Sequence, residues 1–148
     1  MPKFNFRLQS YLGLKNKIED QRKQEYGRAI SALEHERGRL AEMESQRAET
    51  LSSFKADLSG SVNPGQARLH NNFLVWLKES IKIQTGRIRD AEAEVEIRRA
   101  ALTEAMKQRK MLDTLRDKDY SDFIHEQNLA EQKAADETVS FRHGDREN

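Results

Sequence analysis

Cysteine is absent from this 148-residue chain, which excludes disulfides and thiolate metal sites and leaves a reducing compartment unopposed. Proline occurs only at Pro2 and Pro64, so no proline interrupts a helix between them or after them. No apolar run approaches the roughly 20 residues that cross a bilayer. The opening Met1-Pro2-Lys3-Phe4-Asn5-Phe6 carries none of signal-peptide length either. Membrane association is therefore expected only through partners. An excess of one charge is also missing. The chain has 26 basic and 25 acidic residues, a net +1, whereas non-specific nucleic-acid binders carry a strong basic excess. No nucleic-acid partner is expected.

Apolar residues make up 36% of the chain, and mean hydropathy is -0.93. A compact domain of this length needs a larger apolar fraction. Disordered chains tolerate such a composition, and so do long helices that bury only a narrow stripe. Ala, Leu, Glu, Lys, Arg, Gln and Met dominate, and these are the residues that lose least on entering a helix. Helix is the expected state.

One break is marked by turn-forming residues, Ser59-Gly60-Ser61-Val62-Asn63-Pro64-Gly65. Pro64 also disfavours helix at Asn63. Before the break, Leu8, Leu12, Ile18, Tyr26, Ala29, Leu33, Leu40, Met43, Leu51, Phe54 and Leu58 recur at about 3.6 residues per turn. After it, Leu74, Ile81, Ile88, Val95 and Leu102 recur as a heptad, with Leu77, Ala91, Ala105 and Leu112 in the complementary position. Two stripes joined by a short turn predict an all-α, antiparallel two-helix coiled-coil hairpin, an elongated rod. It is read as one unit over residues 1–148: helix 1 over about 4–58, a turn over 59–66, helix 2 over about 67–138, and a frayed tail over 139–148.

Antiparallel pairing about the turn predicts facing residues whose numbers share a constant sum. Leu40 with Ile88, Leu33 with Val95, Leu51 with Leu77, Phe54 with Leu74, Tyr26 with Leu102 and Phe4 with Ile124 all meet that condition. Arg47, Arg98, Arg109 and Gln84 interrupt the seam and are expected to snorkel outward and fix the register. Gly27, Gly38 and Gly86 each cost roughly 1 kcal/mol against alanine. They are read as soft points or as places of close packing.

A two-helix rod offers no concave site in which polar groups converge. Gly60 and Gly65 have the spacing of a phosphate-binding loop, but Gln66-Ala67 follows where Lys and Ser/Thr are required. His35, His70, His125 and His143 show no metal-ligand spacing. In Glu34-His35-Glu36 neighbouring side chains diverge by about 100° and form no acid–base cluster. No enzyme, cofactor or metal site is expected.

Charge is unevenly spread. Residues 3–28 hold seven Lys/Arg against three Asp/Glu, and residues 98–118 hold the same numbers. The basic stretches read equally as solvated faces and as a docking surface for an anionic partner. Phe54, Phe73, Leu74, Trp76 and Leu77 concentrate apolar mass near the turn. One seam cannot enclose both Phe73-Leu74 and Trp76-Leu77, so part of this cluster is expected to be exposed. Core packing and a partner site are both open there.

Three motifs suggest a family. They are Phe4-x-Phe6-x-Leu8-x-x-Tyr11-Leu12-x-x-Lys15 at the start, Phe73-x-x-Trp76-Leu77-x-x-x-Ile81 opening the second helix, and Glu131-x-Lys133-x-x-Asp136-Glu137 near the end. Together, in this order and over essentially the whole chain, they resemble the FliJ family of flagellar export proteins. The resemblance implies a soluble, non-enzymatic stalk of the type III export machine, cytoplasmic and peripheral at the cytoplasmic face of the inner membrane. It implies three partners: a hexameric export ATPase, the cytoplasmic domain of the export-gate membrane protein, and export chaperones. It further implies that Phe4, Leu8, Tyr11, Leu12, Leu129, Asp136 and Glu137 belong to the ATPase-facing end. Met43, Phe73, Trp76 and Leu77 would meet the gate. The chain has Gln46 and Thr50 where family members often carry further aromatics. Other readings of the same sequence are the equivalent stalk of a virulence-type secretion system, a homodimeric coiled-coil scaffold and, last, a basic nucleic-acid-binding hairpin.

Overall fold

The computed structural model describes residues 2–61 and 63–147; Met1, Val62 and Asn148, which fall within the expected chain ends and turn, lie outside the described residues. Two α-helices pack against each other, α1 over Gln9–Leu58 and α2 over Pro64–Arg146, and no strand occurs among the described residues. The fold is an all-α helical hairpin. Its contacts divide into two units, one of Gln21–Thr103 and one combining Met1–Asp20 with Glu104–Asn148.

The helix ends follow local chemistry. The α2 start is set by Asn63, whose Oδ1 accepts the Gly65 N–H at 3.0 Å while its main-chain oxygen accepts that of Ala67 at 3.0 Å. This is an N-cap with proline in the first helical position, where its missing N–H costs nothing. For that reason α2 begins three residues before the expected 67. The α1 start lies later than expected, at Gln9 rather than about 4. The Leu12 N–H reaches the Leu8 carbonyl at 2.8 Å, and residues 2–6 lie outside the helix. At the other end of α1 the Ser59 N–H is shared between the Lys55 and Ala56 carbonyls, at 3.2 and 3.3 Å. Lys55 in the last turn complements the helix dipole there.

The unit of Gln21–Thr103 is itself a helical hairpin. Its core is Ala29, Leu33, Ile88 and Val95, with Tyr26, Ile30, Leu40 and Ala91 packed against it. The pairs expected from the facing register, Leu33 with Val95 and Leu40 with Ile88, fall in this one cluster. Burying each large aliphatic side chain contributes on the order of 1.5–3 kcal/mol. Gly27, Gly38 and Gly86 are not close-packing points, since a Cβ at any of them would meet nothing within 4 Å. Gln84 departs from the expected outward reach. It is 1% exposed and enclosed in the seam.

In the other unit, the N-terminal arm and the first turns of α1 pack on α2. Phe6, Leu12 and Leu112 are buried together, with Phe4 and Leu8 against them. The tail expected to fray continues as helix to Arg146. From Asn128 to Glu147 every residue is exposed, so helix there rests on local propensity without packing.

Candidate partner-binding surfaces

The residues expected at the ATPase-facing end separate into three environments. Leu12 is 2% exposed and belongs to the core, so its side chain is not available to a partner. Phe4 and Leu8 are half-buried against the same cluster, and the Phe4 ring meets Tyr120 edge-on at 5.2 Å and Phe123 at 5.6 Å. Only Tyr11 of the four N-terminal residues is exposed, with the Lys15 ammonium 5.1 Å from its ring centroid. That ammonium also donates to the Gln108 Oε1 at 2.7 Å. Leu129, Asp136 and Glu137 lie on the unpacked stretch of α2 and are exposed. The structure thus brings Phe4, Leu8 and Leu12 together but leaves the three C-terminal residues apart from that cluster.

The residues expected to meet the gate divide more sharply. Leu77 is completely buried and Met43 half-buried. Phe73 and Trp76 are 40% and 59% exposed and stack on each other at 5.7 Å and 20°. Three residues that share a motif therefore do two jobs: Leu77 holds the hairpin together, and the stacked rings of Phe73 and Trp76 present a surface. Helix geometry is the reason, because positions 76 and 77 point about 100° apart. Close to the turn, His70 Nε2 lies 2.8 Å from the Asp57 Oδ2, and Phe54 meets the His70 ring edge-on at 5.8 Å.

Charge is organised by carboxylates that the apolar pattern does not reveal. Glu19 is buried, yet its Oε2 accepts from the Arg109 Nε, and Arg109 also donates to Asp113 at 2.6 Å. Glu19, then Asp113, hold the Arg109 guanidinium above the ordinary arginine range. Arg98 donates to Glu94 at 2.7 Å and to Glu25 at 3.2 Å, and Glu94 is the main cause of its upward shift. Both arginines bridge α2 to a carboxylate of α1. They stay at the seam margin, as expected for long side chains, and Arg47 is exposed. Glu19 was legible only through the facing register, whose constant sum pairs it with Arg109.

Among the described residues no group of three or more His, Cys, Asp or Glu is placed to hold a metal ion, and no helix is long and apolar enough to cross a membrane. The family model of the flagellar FliJ protein matches residues 4–148. The chain belongs to the FliJ family. No curated protein and no solved structure matches it. Membership in the FliJ family makes this chain a flagellar export component, and its helical hairpin accords with that assignment.

Proposed function

We propose that this chain is a non-enzymatic stalk of the flagellar type III export apparatus. It binds and promotes the hexameric export ATPase, contacts the cytoplasmic domain of the export-gate protein and escorts export chaperones. It works in the cytoplasm, peripheral to the inner membrane and held there through those partners. The observation that carries this reading is the family match over residues 4–148. Two features support it. Tyr11, Leu129, Asp136 and Glu137 are exposed for an ATPase contact, and Phe73 and Trp76 for a gate contact. A stalk couples nucleotide state to geometry only by binding some subunit states better than others, so it need not hydrolyse anything itself.

The test is purified export ATPase assayed with and without this chain. A larger hexamer fraction or faster ATP hydrolysis is the expected result. Unchanged assembly together with unchanged turnover refutes the reading.

The exposed Phe73–Trp76 stack also supports a second reading, a homodimeric scaffold closed over those rings. Light scattering decides between them, since a scaffold persists as a dimer at micromolar concentration and a stalk does not.

A further inference from the structure

On the α2 segment from Lys107 to Lys118 the charge distribution changes character. Arg98 and Arg99 upstream, and Arg109 within the segment, each lie within salt-bridge distance of a carboxylate. Lys107, Lys110 and Lys118 form no ion pair among the described residues. With Met111, Thr114 and Leu115 they form one open face of α2, and no carboxylate is among these six residues. Lys107, Met111, Leu115 and Lys118 follow one another at spacings of four, four and three, so they share one helix face. Met111 is 72% exposed and Leu115 40%. Of the acids nearest in sequence, Asp113 is engaged by Arg109, while Asp117 and Asp119 flank Lys118.

We infer that this face of α2 packs against a partner helix whose apolar side chains are flanked by Asp and Glu. Met111 and Leu115, one turn apart, are the kind of apolar anchors that an amphipathic helix presents to a partner. Methionine suits such a face because its flexible, polarizable side chain fills irregular gaps. Three cations without internal partners provide the complementary rim, which sets orientation and excludes basic partners. The extent of the patch points to a protein and not to a bilayer. Glu104 and Asp122 lie one heptad beyond Met111 and Leu115 on the same face, so the apolar strip ends after about three turns and is closed by acids. An anionic membrane surface favours a longer strip with an uninterrupted basic margin. Lys107, Lys110 and Lys118 are not among the residues assigned to the ATPase or the gate, although Met111 adjoins the assigned Tyr11.

Fluorescence anisotropy with the full chain tests it. The probes are two labelled, helix-forming synthetic peptides of about four turns, with leucines four residues apart flanked by Glu in one and by Lys in the other. The Glu peptide is expected to bind at least about tenfold more tightly. Substituting Lys107→Glu, Lys110→Glu and Lys118→Glu together should invert that preference. Met111→Ser with Leu115→Ser should weaken the Glu peptide by about tenfold, with the helical circular dichroism of both variants unchanged. Equal binding of the two peptides, or serine substitutions without effect, overturns the inference. Sedimentation with phosphatidylglycerol/phosphatidylcholine vesicles while neither peptide binds overturns it in favour of a lipid surface.

Discussion

Gln84, 1% exposed, donates from Nε2 to the main-chain oxygen of Glu36 at 2.8 Å across the seam of the hairpin. The same nitrogen donates to the Glu36 carboxylate, while the Gln84 Oε1 is buried without a partner among the described residues. A half-satisfied amide in an apolar seam fixes the register of the two helices at a cost in stability.

Replacing that amide by an apolar side chain of similar size should therefore help. Gln84→Leu is expected to raise the unfolding free energy by about 1 kcal/mol, because the orphaned oxygen disappears and half-exposed Glu36 can turn to water. Gln84→Glu sets two carboxylates against each other and should lower it by about 1–3 kcal/mol at neutral pH. Protonating either carboxyl removes the repulsion, so this deficit should shrink as pH falls. Urea titrations followed by circular dichroism at two pH values check both signs.

Arg109 and Arg98 resemble each other in sequence but not in consequence. The carboxylate that Arg109 serves, Glu19, has a side chain 5% exposed, whereas that of Glu25 beside Arg98 is 22% exposed. Arg109→Ala should lower the urea midpoint more than Arg98→Ala, since it takes a partner from the more deeply buried charge. Both guanidinium groups are shifted upward by their carboxylates. Their contribution is thus present at every pH below the unfolded arginine value and is lost only as pH rises through the still higher folded one. Between pH 6 and 9 these arginines should add no slope to the stability curve.

Leu77 and Trp76 are adjacent and should respond oppositely. Leu77→Ala removes a fully buried side chain and is expected to cost about 2–5 kcal/mol. Trp76→Ser, at a residue 59% exposed, should change stability by no more than about 0.5 kcal/mol. If Trp76 serves a partner, its variant loses binding to the export gate's cytoplasmic domain with an unaltered melting curve. A Trp76→Ser protein as unstable as Leu77→Ala would remove the distinction between surface and core.

The last stretch of α2 has helix without packing. Amide hydrogen exchange should be fastest among residues 131–147, where every side chain is exposed, and slowest around Leu33 and Val95 in the core. Adding the export ATPase should slow exchange in 131–147 if Asp136 and Glu137 meet it. Equal protection of tail and core in the free chain contradicts the picture of a helix sustained by propensity alone.

Much of the fold was legible because it follows from spacing. The heptad of Ile88 and Val95, set against Leu33 and Leu40, names the core directly, since an amphipathic stripe has one way to hide from water. The absence of proline between residues 2 and 64, and again after 64, permits two uninterrupted helices. What spacing could not give was the environment of individual side chains near the stripe. Phe6 and Leu12 are both buried, but Phe6 belongs to a non-helical arm that periodicity cannot describe. Asn63 and Pro64 were read as a break, although as cap and first helical residue they start α2.

The sequence by itself determined the helices, their turn and the apolar faces that meet, because propensity and period are properties of the chain. Only the tertiary structure decided that Leu77 is core and Trp76 surface, that Gln84 lies inside, and that Arg98 and Arg109 are paired while, among the described residues, Lys107, Lys110 and Lys118 are not. Those outcomes depend on which groups the second helix brings within reach. A carboxylate from α1 can neutralise an arginine of α2 only after the two helices have packed.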